Sequence, residues 1–222
     1  MKNVILPPGP ERTLAFYLAM EEYMAGMASD DVFFVWRVSP TVIIGRNQDL
    51  EAEVNLEYCR ENNVKVVRRK SGGGCVYSDL GNIMISYISR RGDVADVFGR
   101  YLSSLTECLC SLGLKAEKSG RNDVLVEGRK VSGNAFHQLP DRSIVHGTLL
   151  FSSDFDADRI YLGRRRDEEF IRFEIHPCHR SDADRTVHPD KVSIKPVETC
   201  LGQYMQEKSS VCLSLLTCYC IV

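Results

Sequence analysis

The chain reads as an α+β domain with a mostly antiparallel sheet, and three observations carry that expectation. Short β-branched and aromatic runs follow one another across glycine turns, the pattern of strands that pair with their sequence neighbours. Only a few helical segments interrupt them, without the repeating β-α-β units of a doubly wound sheet. No internal repeat is present, which sets aside solenoids and propellers.

Taken in order, Pro7, Pro8 and Pro10 forbid an early helix, and Glu11 to Met27 then places Leu14, Leu18, Tyr23 and Met24 at helical spacing. Val32 to Val38 is a strand, broken by Ser39-Pro40, and Thr41 to Ile44 is read as its neighbour. Glu51 to Asn62 predicts a short helix, Val64 to Val67 a strand and Ile83 to Ile88 a buried strand. Val94 to Leu112 carries Val97, Tyr101, Leu105, Cys108 and Leu112 on one helical face, and Gly113 ends it. Val124 to Val126 and Lys130 to Phe136 flank a Glu127-Gly128 turn, and Ile144 to Phe151 follows the Leu139-Pro140-Asp141 turn.

A length of 222 residues allows one large domain with a substantial core. Net charge is −2, with 28 basic and 30 acidic residues, so no global field favours nucleic acid. The nine cysteines show no C-x-x-C pair, which points to a reduced, cytoplasmic setting, or a mitochondrial one if a eukaryotic presequence has been removed. His176, Cys178 and His179 are too compact for the usual metal-ligand spacing. The apolar ending, 211–222, is shorter than the ~20 residues that span a bilayer. It reads as a packed terminal strand or the scar of a truncated or frameshifted reading frame, and no membrane association is expected.

One stretch organises the rest. Arg68-Arg69-Lys70-Ser71-Gly72-Gly73-Gly74-Cys75-Val76-Tyr77 joins three cations to three consecutive glycines. Glycines let backbone N–H groups approach a ligand, and Arg and Lys reinforce an anion-binding concavity. A glycine-rich hairpin turn is the plainer alternative. The spacing is neither G-x-x-x-x-G-K-[ST] nor G-x-G-x-x-G, so the two common nucleotide loops are not indicated.

The glycine stretch is followed by Gly120-Arg121-Asn122-Asp123, Lys130-Val131-Ser132-Gly133-Asn134-Ala135 and His146-Gly147-Thr148-Leu149-Leu150, in that order. This succession resembles the lipoate-protein ligase A family, from about Phe16 to Phe151. The resemblance implies a mixed sheet of the class II aminoacyl-tRNA synthetase and biotin-lipoate ligase kind. It also implies an enzyme that uses ATP and Mg²⁺ to activate lipoate or octanoate as an acyl adenylate. The acceptor would be a lysine of lipoyl domains, on 2-oxoacid dehydrogenase E2 subunits or the glycine-cleavage H protein. An acyltransferase using a preformed lipoyl adenylate or an octanoyl carrier, with Cys178 as its candidate nucleophile, and a non-catalytic lipoate-binding module are the alternatives.

By the same resemblance Lys130 is the catalytic residue, touching the acyl carbonyl and the α-phosphate. Arg69, Ser71, Gly72, Gly73, Gly74, Cys75, Val76 and Tyr77 bind the nucleotide and line the acid's tunnel, with Ser132, Gly133, His146 and Gly147 beside them. Asn122 and Asp123 orient ATP, or Asp123 ligates Mg²⁺; a turn-forming pair is the alternative. His146 is read as a histidine that positions the Lys130 strand. The chain departs from the family at Ser78, where His is usual, and over Phe173 to Val187, where only an echo of a lysine-rich element remains. Residues 1–210 are expected to form the catalytic domain, with a helix over Val192 to Gln206. The family's small C-terminal accessory domain is expected to be absent or supplied as a separate polypeptide.

Overall fold

Residues 2–4, 12–90, 92–120, 122–152 and 161 are described in the computed structural model. The expectations on Arg121, Cys178 and its flanking histidines, Phe173 to Val187, Val192 to Gln206 and the ending 211–222 lie outside them. The elements are β1 (Lys2–Asn3), α1 (Leu14–Met27), β2 (Val32–Trp36), β3 (Thr41–Ile44), α2 (Leu50–Glu53), α3 (Leu56–Glu61), β4 (Lys65–Arg68) and β5 (Val76–Ser78). After them come β6 (Asn82–Arg90), α4 (Val94–Ser111), β7 (Ala116–Ser119), β8 (Asp123–Val126), β9 (Arg129–Gln138) and β10 (Arg142–Leu150).

A seven-stranded sheet has the order β1-β2-β6-β10-β9-β8-β7, and a three-stranded sheet the order β4-β3-β5. All pairings are antiparallel except β1 with β2 and β3 with β4. The α+β expectation holds, and the two parallel pairs make the sheets mixed.

β6 sits inside the large sheet and is buried on both faces. Ile83, Ile85 and Tyr87 pack with Val97, Tyr101, Leu105 and Leu109 of α4, and with Val145 and Leu149 of β10. Met84 and Ile88 face the opposite way, toward Leu14 and Tyr17 of α1 and Ile43 of the small sheet. Val42 and Ile44 point away from that layer, into a third cluster with Val54 and Cys59. The alternation of β3 therefore bonds the small sheet to the large one on one side and to α3 on the other.

Four expectations need correction. β2 and β3 are not neighbours: Ser39-Pro40 is where the chain leaves one sheet for the other. Glu51 to Asn62 is two helices, because the Asn55 side chain accepts from the Tyr58 N–H at 3.1 Å and caps a new helix instead of sitting inside one. α1 begins at Leu14, since Thr13 caps it through the Phe16 N–H. β5 and β7 were not read from the sequence; β7 is a short edge strand with Glu117 and Lys118 exposed, so no apolar alternation marks it.

The hairpin turn is as expected. Glu127 and Gly128 both have positive φ, 51° and 77°, the two-residue turn whose twist matches its flanking strands.

Candidate active site

The glycine stretch leaves β4 as a loop laid over the small sheet. Arg69 N–H donates to Ile44 O at 2.9 Å, and Arg46 N–H to Ser71 O at 3.0 Å. Gly45 permits this approach: a Cβ there would stand 2.1 Å from Gly73 O. Gly73 has φ +91°, which a side chain would strain.

Arg69 is 7% exposed, and its guanidinium holds the loop from inside. Its Nη2 donates to Gly72 O and Gly74 O at 2.7 Å each, Nη1 to Ile43 O at 3.2 Å, and Nε to Ser71 Oγ at 3.0 Å. Burial pushes its pKa below the ordinary value, while Cys75 pulls it back up. An anion approaching this loop thus meets a buried cation and carbonyls already neutralised. Arg69 lines the cavity, and all three of its nitrogens are engaged by the loop and by β3.

Lys130 is aimed by an irregularity. Val124 pairs with Ser132 and Leu125 with Lys130, so Val131 is an extra residue in β9. Val131 turns into the α4 core beside Val124 and Val126. Lys130 therefore shares a face with Gly133, although their spacing in a regular strand would put them on opposite faces. A Cβ on Gly133 would lie 3.3 Å from Lys130 Cε. Lys130 Nζ is 3.2 Å from Asp123 Oδ2, and the lysine side chain is 30% exposed.

A cavity of about 180 Å³ opens over these groups. Its floor is a single row across the large sheet: Trp36, Met84, Thr148, Gly133 and Asp123 are successive partners on β2, β6, β10, β9 and β8, and all five line it. Four strand spacings make the row about 19 Å long. Leu14 and Leu18 of α1 join the Trp36 end, while Lys130 and Asn122 join the Asp123 end. The cavity is apolar at one end and charged at the other.

Of the expected residues, Arg69, Gly73, Gly74, Cys75, Val76, Tyr77, Asn122, Asp123, Lys130, Gly133, His146 and Gly147 line this cavity. Ser71, Gly72 and Ser132 do not. Ser71 and Ser132 are each 1% exposed; Ser71 Oγ bonds Arg69 and His146 behind the loop, and Ser132 Oγ bonds Asn134. The bulge turned Ser132 away from the site that Lys130 faces. Asn122 is held as a clasp, its Nδ2 donating to Asn134 O at 2.5 Å while Asn134 Nδ2 donates to Asn122 O at 2.8 Å. Asn134 was not singled out from the sequence, nor were Trp36, Met84 and Thr148, which nothing short of the pairing register would bring together. Ser78 is fully buried and directs its hydroxyl to Met84 Sδ.

Among the described residues no three His, Cys, Asp or Glu side chains gather as a metal-ligand group. Asp123 is the one described carboxylate lining the cavity.

Comparison with known proteins places this fold among acyl-ligase catalytic domains. A bipartite lipoate protein ligase, solved with its E2 lipoyl domain, from Thermoplasma acidophilum superposes with a TM-score of 0.75 at 23% identity, covering 94% of this chain and 83% of that one. A lipoate-protein ligase A bound with ATP gives 0.73 at 24%, covering 94% and 86%. The chain matches the lipoyl protein ligase A/B catalytic domain over residues 13–179 and belongs to that family. The Bacillus subtilis lipoate-protein ligase LplJ is 44% identical over 142 residues, 63% of this chain and 43% of that protein. The Mycoplasma pneumoniae protein named "Probable lipoate-protein ligase A" is 37% identical over 238 residues, 93% of this chain and 70% of that protein. This chain thus spans less than half the length of the Bacillus relative.

Proposed function

We propose that the chain is the catalytic domain of an ATP-dependent lipoate-protein ligase, activating lipoate or octanoate and passing the acyl group to a lysine of a lipoyl domain. The observation that carries this is the transverse row, apolar at Trp36 and Met84 and charged beside Asp123 and Lys130. An acid with a hydrocarbon tail fits it in one direction only, its carboxylate at Lys130. The relatives' names as lipoate-protein ligases support an acid of this kind as the substrate.

In this reading a carboxylate oxygen attacks the α-phosphorus of ATP, pyrophosphate leaves, and an acyl adenylate forms. The acceptor amine then attacks the acyl carbon and AMP departs, its proton going to solvent. Two anions must first be held together, and donors fixed in place are often the largest catalytic term. Lys130, released from Asp123 as substrate arrives, supplies a compact charge between carboxylate and phosphate. The glycine loop supplies backbone donors over Arg69. Asp123 would be the residue to hold Mg²⁺, which would supply charge neutralisation at the phosphates.

The test is pyrophosphate release from ATP with lipoate. Release that requires both substrates is the expected result; acylation of a lipoyl domain without ATP would replace this reading with a transferase.

A further inference from the structure

A buried polar chain runs behind the glycine loop, from the Trp36 end of the acid's row to Arg69. Glu21 is 3% exposed in the middle of α1, where a lone carboxylate would be costly. Its Oε1 accepts from Ser86 Oγ at 2.5 Å, and Ser86 Oγ accepts from the Trp36 indole N–H at 2.8 Å. Its Oε2 lies 3.0 Å from His146 Nδ1, and His146 Nε2 lies 2.7 Å from Ser71 Oγ. Ser71 Oγ is also 3.0 Å from Arg69 Nε.

The groups at the two ends set the directions. Arginine only donates and a carboxylate only accepts, so Ser71 Oγ accepts from Arg69 Nε and His146 Nδ1–H donates to Glu21; Nε2 of the neutral imidazole is then left to accept the Ser71 O–H. The Ser-His-Glu order copies a nucleophilic triad, but Ser71 is buried and does not line the cavity, so no substrate carbonyl reaches it. What the chain reaches instead is Arg69, and through it the carbonyls of Gly72 and Gly74.

We infer that Glu21, His146 and Ser71 form a positioning relay that sets the glycine loop from α1, with Glu21 governing how tightly the loop holds a nucleotide phosphate it does not touch. The inference rests on the ligase reading. Without the Glu21 carboxylate His146 can move its proton to Nε2. Ser71 Oγ can accept from both Nε2–H and Arg69 Nε, but its own buried O–H would then have no acceptor; Ser71 would turn to find one and leave Arg69 Nε, loosening the Gly72 and Gly74 carbonyls that Arg69 holds. Glutamine keeps an acceptor for Nδ1–H and Ser86, and so keeps the relay.

Calorimetric affinity for a nonhydrolysable sulfamate analogue of octanoyl adenylate tests this, with thermal unfolding as the check on folding. Glu21→Ala should weaken binding at least tenfold at neutral pH. Glu21→Gln should stay within threefold. The Glu21→Ala, Ser71→Ala double variant should bind no more weakly than the poorer single variant, because both cut one chain. Additive losses, or Glu21→Ala binding like wild type, overturn the relay. If Glu21→Ala does not fold, Ser71→Ala decides, and binding within threefold of wild type overturns the relay. Failure of the wild-type chain to bind the analogue would defeat the ligase reading and the relay with it, whereas normal wild-type binding with an unaffected Glu21→Ala defeats the relay alone.

Discussion

The two faces of the seven-stranded sheet are built from alternate residues of the same strands, yet they do opposite work. Toward α4, Ile83, Ile85 and Tyr87 of β6 and Val145 and Leu149 of β10 close over Val97, Tyr101, Leu105 and Leu109. Toward α1, the residues between them are Met84 and Ser86 of β6 and His146 and Thr148 of β10, which floor the cavity or carry its buried hydrogen bonds. A strand with period two supplies a sealed core and a site at once, provided each stays on its own side. The bulge at Val131 is the one place where β9 changes that assignment, and it brings Lys130 to the site.

Separating the two faces by mutation gives a graded series. Lys130→Ala should lower ATP-dependent acylation by about a hundred- to a thousandfold, the scale of losing a fixed donor at the reacting centre. Its melting temperature should stay near wild type, since the side chain is 30% exposed. Steady-state rates beside thermal unfolding check both halves.

On the other face, Leu109→Ala removes a fully buried side chain from the α4 cluster. It should cost about 2–5 kcal/mol of stability in urea unfolding, with KM for both substrates unchanged for the folded fraction. The smallest effect belongs to the hairpin tip. Glu127 holds a left-handed conformation that asparagine adopts more readily, so Glu127→Asn should add about 0.5–1 kcal/mol without altering turnover.

These contrasts follow how legible each part is in the sequence. Glu127-Gly128 announces its turn, because few residue pairs suit two positive φ angles, so the hairpin under Lys130 is readable. The α4 face is readable too, from the spacing of Val97, Tyr101, Leu105 and Cys108. The bulge is not: Val131 and Ser132 are consecutive buried residues, a pattern that does not say which one is the extra. Nor is the division of β2 from β3, since two apolar runs around Ser39-Pro40 look alike whether they pair or part. Arg69 reads as a ligand-binding cation because its charge is visible in the sequence, whereas the four acceptors that hold it come from its own loop, at Ser71, Gly72 and Gly74, and from Ile43 of β3, which only the fold brings to it.

The claim on which the rest depends is that the row from Trp36 to Asp123 receives the acid tail first and leaves the carboxylate at Lys130. A series of straight-chain acids tests it most directly, through kcat/KM for pyrophosphate release in the wild-type chain and in Trp36→Leu. Each added methylene should raise wild-type kcat/KM by roughly fourfold, the effect of about 0.8 kcal/mol of burial, until the tail meets Trp36 and the rate falls. In Trp36→Leu that ceiling should move to longer acids while the short ones react as before. A ceiling at the same length in both proteins, or rates indifferent to length, would contradict the account.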